Sequence, residues 1–233
     1  MPVVVLIHSP LVGPSSWHRV AEELNNRGRE ATVPDLRGAA EKQATIAAIA
    51  DSAARQIPDS ELVLVGHSGA GMLLPAIAHR VSTPVTAFCF VDAHLPPRKG
   101  EVPLADPAFF GFLSSISSQG RLPPWSSWWG PETMEALVPD PAVRAQLTEE
   151  MPSLSLDYFL QEIHAVERWP ATCGYVRLSA SYEPSASEAE ELGWPVERFS
   201  AGHLHGVVDP ASVAAAVLDV LEVSSASRSQ KRR

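Results

Sequence analysis

Cysteine, aromatic residues, positive charge and long apolar runs are all scarce in this 233-residue chain. The two cysteines, Cys89 and Cys173, lie in apolar, strand-like segments without metal-ligand spacing to a histidine, so we expect buried thiols and no metal site. No stretch approaches the ~18 apolar residues that span a bilayer. Eighteen Lys and Arg stand against 27 Asp and Glu, a net charge of −9. This acidic balance argues against nucleic acid or an anionic membrane as the main partner.

The residues that are present suffice for one globular domain. Hydrophobic residues make up 45% of the chain, enough for a full core. The apolar run at Val3–Ile7 is too short for a signal peptide and has no basic leader, so we expect a cytoplasmic protein. Residues 224–233 mix Ser with Lys and Arg and lack apolar periodicity, which predicts a disordered tail after a domain of residues 1–223. We expect no cofactor, and the sequence leaves the oligomeric state open.

Strand-like and helix-like segments alternate before Ala93 and again after Pro170. The alternation predicts an α/β fold with a doubly wound, mainly parallel sheet. The segments are strands at 2–7, 31–33, 62–65, 85–91, 174–178 and 196–199, and helices at 15–27, 45–57, 70–81 and 209–221.

The alternation is interrupted between about 94 and 170, just after the strand that ends at Asp92. This stretch is rich in Pro, Ser and Trp, and its clearest helical segments are Asp140–Glu149 and Ser155–Val166. An insertion between two late strands lies above their carboxyl ends, where such folds place their sites. We interpret it as a helical lid.

The segment Leu62–Gly71 carries the strongest functional signal. An apolar strand stops at Gly66, and Ser68 follows within two residues, before a helix. A serine on so abrupt a turn takes a strained backbone conformation, which requires small residues two positions away on each side. Gly66 and Ala70 satisfy that requirement, although Ala70 departs from the G-x-S-x-G pattern. The segment therefore predicts a nucleophile elbow that exposes the Ser68 hydroxyl.

With this elbow, the chain resembles the α/β-hydrolase fold proteins across residues 2–223. The motifs that carry the resemblance are the Ile7-His8-Ser9 turn, the elbow at Ser68, and Gly202-His203 before Asp209-Pro210. Within that superfamily it is most similar to the small, lidded esterases and hydroxynitrile lyases. The resemblance implies acyl chemistry at Ser68.

His203 is the candidate general base, because it lies in a glycine-flanked loop between the last strand and the last helix. His205 competes with it, but the family's spacing to the proline of the final helix favours His203. The acid has two candidates. At the position most of the family uses, this chain has Tyr182 with Glu183 beside it, whereas Asp92 ends the strand after the elbow helix. The spacing slightly favours Asp92, and Glu183 stays open as the alternative.

The oxyanion hole needs N–H or O–H donors near the developing negative charge. The Gly69 N–H, at the start of the predicted helix, is one donor. The second normally comes from the turn after the first strand, but Pro10 has no N–H to give. The donor there is either Ser9, through its backbone or its hydroxyl, or Leu11.

Aromatic residues concentrate in the predicted lid, where Trp125, Trp128 and Trp129 stand within five residues of one another. Such a cluster predicts a flat apolar pocket for a bulky or aromatic acyl group, although packing of the lid onto the body explains any single Trp equally well. We therefore expect an ester or thioester substrate, with a carrier-bound thioester as one candidate, and either water or a second substrate as the acyl acceptor. The alternatives are a hydroxynitrile-lyase-like enzyme, disfavoured because Leu204 replaces that group's lysine, and a non-catalytic small-molecule receptor.

Overall fold

The computed structural model describes residues 1–42, 44–166 and 169–231. Its strands are β1 (Val3–Ile7), β2 (Ala31–Thr32), β3 (Leu62–His67), β4 (Val85–Val91), β5 (Glu101–Pro103), β6 (Glu162–His164), β7 (Thr172–Arg177) and β8 (Val196–Arg198). The helices are α1 (Ser15–Asn26), α2 (Arg37–Lys42), α3 (Ile46–Ala54), α4 (Leu74–Ala78), α5 (Pro107–Ile116), α6 (Pro131–Leu137), α7 (Pro141–Glu149), α8 (Glu183–Glu191), α9 (His205–Val208) and α10 (Pro210–Lys231). Short 3-10 turns occupy Ser68–Leu73, Trp125–Ser127, Leu156–Leu160 and Ala180–Tyr182.

Six strands form one parallel sheet in the order β2-β1-β3-β4-β7-β8. The chain starts near the middle, winds out to one edge, and then returns to build the other half. This is the doubly wound α/β arrangement that the alternation predicts, and the prediction is confirmed. Because the strands are parallel, their carboxyl ends all meet at one edge of the sheet, where the loops that follow them come together.

Both faces of the sheet are covered by apolar layers, which explains why the central strands have continuous apolar runs. Val4 and Leu6 pack in one layer with residues of α1 and α10. Val5 and Ile7 point to the opposite face and pack with residues of α3, α4 and α8. Successive side chains of a strand alternate between faces, so one five-residue strand serves both layers.

The segment after Ser68 differs from the single helix predicted at 70–81. A 3-10 turn covers Ser68–Leu73, and regular α-helix follows only at Leu74–Ala78. Gly69 and Gly71 weaken helix formation in the first part. Pro75 falls in the first turn of α4, where its missing N–H costs no intrahelical hydrogen bond. The proline therefore lies at a position that a helix tolerates.

The insertion between β4 and β7 contains β5, three helices and β6. The predicted helix at Asp140–Glu149 is present as α7, with Asp140 capping its N-terminus. The predicted helix at Ser155–Val166 is wrong, because that stretch holds a 3-10 turn and then β6. β6 pairs antiparallel with β5, Val102 opposite Ile163, and so joins the two ends of the insertion. A pairing across some sixty residues leaves no trace in local periodicity.

The C-terminal helix α10 continues to Lys231, through most of the stretch for which the sequence indicates a disordered tail. No glycine or proline follows Pro210, so nothing in the sequence stops the helix once it has begun. Residues 232–233 of that predicted tail lie outside the described residues. Within the described part of the chain, no helix combines the length and the apolar character needed to cross a membrane.

Candidate active site

Ser68 lies at the junction between β3 and the 3-10 turn, with a backbone φ of +57°. This left-handed conformation is unusual for a residue with a side chain and is the strain expected of a nucleophile elbow. A Cβ added to Gly66 would lie 3.0 Å from the Ala70 carbonyl oxygen, so the two positions flanking the serine are in close contact. This close contact explains why small residues are needed at Gly66 and Ala70, as the sequence predicts.

Asp92 immediately follows β4 and is completely buried, with a backbone φ of +45°. Its Oδ1 accepts the N–H groups of Leu178 and Ser179 at 2.7 and 2.8 Å. Its Oδ2 accepts the Ser179 hydroxyl at 2.6 Å and pairs with His203 Nδ1 at 2.8 Å. Burial raises the pKa of Asp92, but the hydrogen bonds and the charge of His203 outweigh it and bring the pKa below its usual value. The carboxylate is therefore charged at neutral pH.

Two rings enclose the His203 imidazole. The Tyr182 ring is stacked on it, with centroids 5.1 Å apart and planes 6° from parallel. The His67 ring lies 4.5 Å away, and its Nε2 donates to the His203 carbonyl oxygen at 2.9 Å. Burial, together with the neighbouring His203, lowers the pKa of His67 to about 3. His67 is thus a neutral donor that holds the loop of His203 in place without adding a charge beside it.

The structure places Glu183 elsewhere. It is the first residue of α8 and pairs with Arg177 at 2.9 Å and with Arg198 at 3.0 Å. Those two cations hold the Glu183 carboxylate, whereas Asp92 contacts the His203 imidazole directly. The geometry therefore favours Asp92 over Glu183 as the acid. The competing histidine, His205, begins α9 and packs its ring against Phe199.

The turn after β1 offers the Ser9 hydroxyl as an oxyanion donor. Leu11 N–H donates to Ser9 Oγ at 3.3 Å, so this backbone group is already engaged and the Ser9 proton is left to donate elsewhere. Ser9 Oγ lies 3.3 Å from the position that a Cβ on Gly69 would occupy, which places it beside the Gly69 backbone. Gly69 and Ser9 together can thus hold a negative oxygen near Ser68.

His8 holds the same turn in place through hydrogen bonds at both of its ring nitrogens. Its Nδ1 donates to the Ser9 carbonyl at 2.8 Å, and its Nε2 accepts the Leu36 N–H at 3.0 Å. Burial lowers the pKa of His8 to about 4, although the bond to Ser9 acts in the opposite direction. His8 is therefore neutral in a single tautomer and ties the turn to the start of α2.

A cavity of about 840 Å³ opens between the carboxyl ends of the strands and the insertion. Its lining includes Ser68, His203 and Tyr182 together with Trp125, Trp128 and Trp129. Trp125 is the nearest of the three to the base, with its ring centroid 6.1 Å from that of His203. Trp128 is buried and donates its indole N–H to the Pro123 carbonyl, so it also holds this part of the insertion together. Among the described residues lining the cavity there is no lysine or arginine.

Sequence reasoning gave no role to three of the groups around the base, although it named Tyr182 as the residue at the usual position of the acid. His67 lies within the elbow motif itself, and Ser179 and Tyr182 follow β7, at the same sheet edge as Ser68. The signal that could have found them is their place at the ends of parallel strands. The described residues contain no cluster of three or more His, Cys, Asp or Glu that could hold a metal ion.

Comparisons with known proteins agree with the fold. A family model described as "Alpha/beta hydrolase family" matches residues 4–216. A solved extracellular alpha/beta-hydrolase from a Paenibacillus species, described as sharing homology with tobacco salicylic acid binding protein 2, superposes with a TM-score of 0.72 at 18% identity, covering 94% of this chain and 99% of that chain. A mutant of polyneuridine aldehyde esterase gives a TM-score of 0.71 at 18% identity, covering 94% of this chain and 98% of that chain. The thioesterase domain from the curacin biosynthetic pathway gives 0.60 at 19%, covering 93% and 91%. No curated protein sequence matches.

Proposed function

The chain belongs to the alpha/beta hydrolase family, and from this premise we propose that it is a serine hydrolase that cleaves an ester or thioester through a covalent acyl-Ser68 intermediate. The observation that carries the proposal is the hydrogen bond between buried Asp92 and partly exposed His203, which lines the same cavity as a serine held at positive φ. A nucleophile, a base and a group that orients the base are the parts this chemistry needs.

In the proposed reaction, Ser68 Oγ attacks the acyl carbon while its proton passes to His203 Nε2. Asp92 keeps the proton on Nδ1 and stabilises the imidazolium. The Gly69 N–H and the Ser9 hydroxyl hold the negative oxygen of the tetrahedral intermediate. When the bond to the leaving alcohol or thiol breaks, His203 gives it the proton. Water then repeats the sequence on the acyl carbon, and Ser68 leaves with its proton restored.

In the structure, Ser68, Tyr182 and His203 line the same cavity. Among the described residues, no hydrogen bond joins the Ser68 and His203 side chains. Contacts between nucleophile and base commonly tighten only in the complex with substrate, so this arrangement is compatible with the proposed roles. We expect the Ser68 hydroxyl to turn to His203 when an acyl carbon approaches.

The cavity supports a neutral substrate with a bulky apolar acyl group. Its volume of about 840 Å³ is within the range of ligand-binding clefts, and three tryptophans supply flat apolar surface. The lining just described carries no cation to pair with an acyl group that bears a carboxylate or phosphate. An esterase and a thioesterase domain are among the proteins of similar fold, which is compatible with either kind of acyl bond.

A lyase of the hydroxynitrile type is less well supported. Leu204, which follows the base, is buried in an apolar cluster with Val12 and Leu147 and presents no charge to the site. A receptor without turnover is also disfavoured, because Ser68 and its base are both in place. Water as the acceptor is our proposal, and transfer to an amine, thiol or alcohol is the outcome that the test below separates from it.

The decisive experiment is intact-mass spectrometry after mixing the protein with p-nitrophenyl esters and with acyl thioesters of the same aromatic acid. We expect a single acyl adduct that is lost in Ser68→Ala and retained in Ser82→Ala, which removes an exposed serine. Decay of the adduct in water alone supports hydrolysis. Decay only when an amine, thiol or alcohol is added supports acyl transfer. If no donor gives an adduct or turnover with the wild-type protein, the proposed function is wrong.

A further inference from the structure

Tyr158 lies in a turn of the insertion that is tied to the body of the protein. The turn is the 3-10 segment Leu156–Leu160, and the Tyr158 carbonyl accepts the backbone N–H of Gln161 at 3.3 Å and its side-chain amide N–H at 3.1 Å. The same Gln161 amide donates to the Ala44 carbonyl at 2.9 Å and accepts the Ile46 N–H at 2.9 Å. Because one glutamine joins this turn to the start of α3, the backbone that carries the Tyr158 ring is held in place from both sides.

The Tyr158 hydroxyl has no hydrogen-bond partner in the part of the chain that the structure describes, although the residue is only 3% exposed. Its oxygen is not among the polar atoms of the described residues that are completely shielded and lack a partner. The oxygen therefore borders open space, and the open space that Tyr158 lines is the cavity of about 840 Å³. A buried hydroxyl without a partner is costly, and folded proteins contain few of them. The hydroxyl thus depends on a molecule in the cavity for its hydrogen bond.

The surroundings of this hydroxyl are aromatic. The Tyr158 ring centroid lies 5.1 Å from that of Phe159, which lies 6.0 Å from that of Phe109. The Phe109 centroid lies 6.3 Å from that of Trp128, and all four residues line the cavity. The hydroxyl therefore interrupts the apolar surface that we assign to the acyl group. A phenylalanine would fill the same space without an unpartnered oxygen, so packing alone gives no reason for a tyrosine here.

The charges of the lining indicate that the partner of this hydroxyl is neutral. Asp106 lines the same cavity, and its carboxylate accepts the Phe109 N–H at 2.8 Å at the start of α5. The described lining residues include no lysine or arginine that could balance an anion. Burial raises the pKa of Tyr158, so the phenol stays protonated at neutral pH and can donate to an oxygen.

We propose that Tyr158 is a specificity-determining residue, which selects substrates whose apolar acyl group carries a neutral oxygen substituent (a hydroxyl, ether or carbonyl) by donating a hydrogen bond to that oxygen. The proposal rests on the proposed function, because it names the class of acyl group that Ser68 receives. An acyl group of similar shape without the oxygen leaves the phenol unpartnered in the complex, and this difference produces the selectivity.

The test compares Tyr158→Phe with wild type on p-nitrophenyl benzoates that carry a hydroxymethyl, methoxy, acetyl or ethyl group at the meta or para position. The ethyl group is similar in size to the others but has no oxygen, and the ratio of the two proteins on one ester cancels the intrinsic reactivity of that ester. We expect Tyr158→Phe to lower kcat/KM by about 5- to 100-fold on at least one oxygen-bearing ester, with the ethyl esters within about threefold of wild type.

Thr133→Val is the matched control. Thr133 lines the same cavity from α6, and valine keeps its shape while removing its hydroxyl. We expect this variant to keep the wild-type preference for the oxygen-bearing ester. Thermal unfolding separates a binding role from a structural one. Because the Tyr158 hydroxyl binds no described group of the protein, Tyr158→Phe should unfold at or above the wild-type temperature.

Binding without turnover gives a second measurement. Isothermal titration calorimetry of the corresponding benzamides compares Ser68→Ala with the double variant Ser68→Ala/Tyr158→Phe. We expect the second substitution to weaken binding of the same oxygen-bearing compound by about 5- to 100-fold and to leave binding of the ethyl compound unchanged.

Four results overturn the inference. Tyr158→Phe could retain the wild-type kcat/KM on every ester, or it could lose activity equally on the ethyl and the oxygen-bearing esters. Thr133→Val could remove the preference to the same extent, or Tyr158→Phe could unfold several degrees below wild type. Each of these leaves the proposed function standing, because wild type still forms its adduct at Ser68. If wild type forms no adduct with any ester, the proposed function is wrong, and calorimetry alone decides whether Tyr158 binds an oxygen-bearing ligand.

Discussion

At the scale of single residues, the two candidate acids, Asp92 and Glu183, differ in the groups that bind their carboxylates. Asp92 accepts two backbone N–H groups and one hydroxyl besides its bond to His203, so its charge is satisfied in a fully buried position. Glu183 is drawn to Arg177 and Arg198 instead. Sequence spacing left both carboxylates open, because the partners that separate them come from β7, β8 and the loops beyond, far along the chain from Asp92.

This difference predicts opposite outcomes for two amide substitutions. Asp92→Asn keeps the shape but presents an N–H₂ group to His203 Nδ1, which favours the wrong tautomer of the base. We expect kcat to fall by about 10³- to 10⁴-fold, as for triads of this kind. Glu183→Gln weakens partly exposed ion pairs, so we expect a change in kcat below about threefold and a loss of at most ~1 kcal/mol in unfolding free energy. Initial rates with an activated ester and urea unfolding measure both. A larger loss of kcat in Glu183→Gln than in Asp92→Asn would reverse the assignment.

At the scale of elements, the structure shows which small residue of the elbow is required for close packing. Position 70 holds alanine without strain on the packing, whereas a Cβ at Gly71 would lie 2.7 Å from both the Ala93 Cβ and the His94 carbonyl oxygen. Those atoms belong to the segment that leaves β4 directly after Asp92. The small residue that matters most for close packing is therefore Gly71, because it lets the elbow turn pack against the segment beside the acid.

Gly71→Ala should consequently affect both stability and catalysis. Overpacking of a tight contact costs about 1–3 kcal/mol, and the displaced segment includes the neighbour of Asp92, so we expect kcat to fall together with the unfolding free energy. Gly38→Ala in α2 is the control, because a Cβ there meets nothing within 4 Å. Alanine at that helical position should stabilise by about 0.5–1 kcal/mol and leave kcat unchanged. Urea unfolding and kcat of both variants give the comparison, and a Gly71→Ala protein as stable and active as wild type would refute the packing argument.

At the scale of the whole molecule, short sequence segments predicted the structure of those same segments but not the contacts between distant ones. The apolar runs, the elbow at Ser68 and the glycine-flanked loop at His203 are each contained in a few residues, and from them the sheet and the location of Ser68 and His203 at one cavity could be predicted. The β5–β6 pairing and the stacking of Tyr182 on His203 join segments that are distant in sequence. Nothing in the composition of either partner encodes such contacts, so the arrangement of the insertion and the surroundings of the base became clear only in the folded chain.

Two buried neutral histidines, far apart in sequence, link the stability of the entire fold to pH. His8 has a folded pKa of about 4 and His67 one of about 3, against an ordinary value of 6.5. Because the pKa of each histidine is lower in the folded state, the unfolded chain binds more protons than the folded chain below about pH 6.5. The stabilisation they provide is therefore complete above pH 6.5 and is lost as the pH falls towards 4. The depressed pKa of Asp92 acts in the same direction, but only below the usual range of a carboxyl group.

We expect the unfolding free energy to decrease between pH 6.5 and about 4, with each of these histidines contributing about 1.4 kcal/mol per pH unit once the pH is well below 6.5. Urea unfolding at half-unit intervals of pH measures the slope. His8→Asn removes one titrating group, and although it lowers stability at every pH, its slope should be shallower by about 1.4 kcal/mol per pH unit. Ser82→Ala removes an exposed side chain that does not titrate and should leave the slope at the wild-type value. If His8→Asn retains the wild-type slope, His8 is not the neutral buried group that ties the Ser9 turn to α2, and the acid sensitivity of the protein has another source.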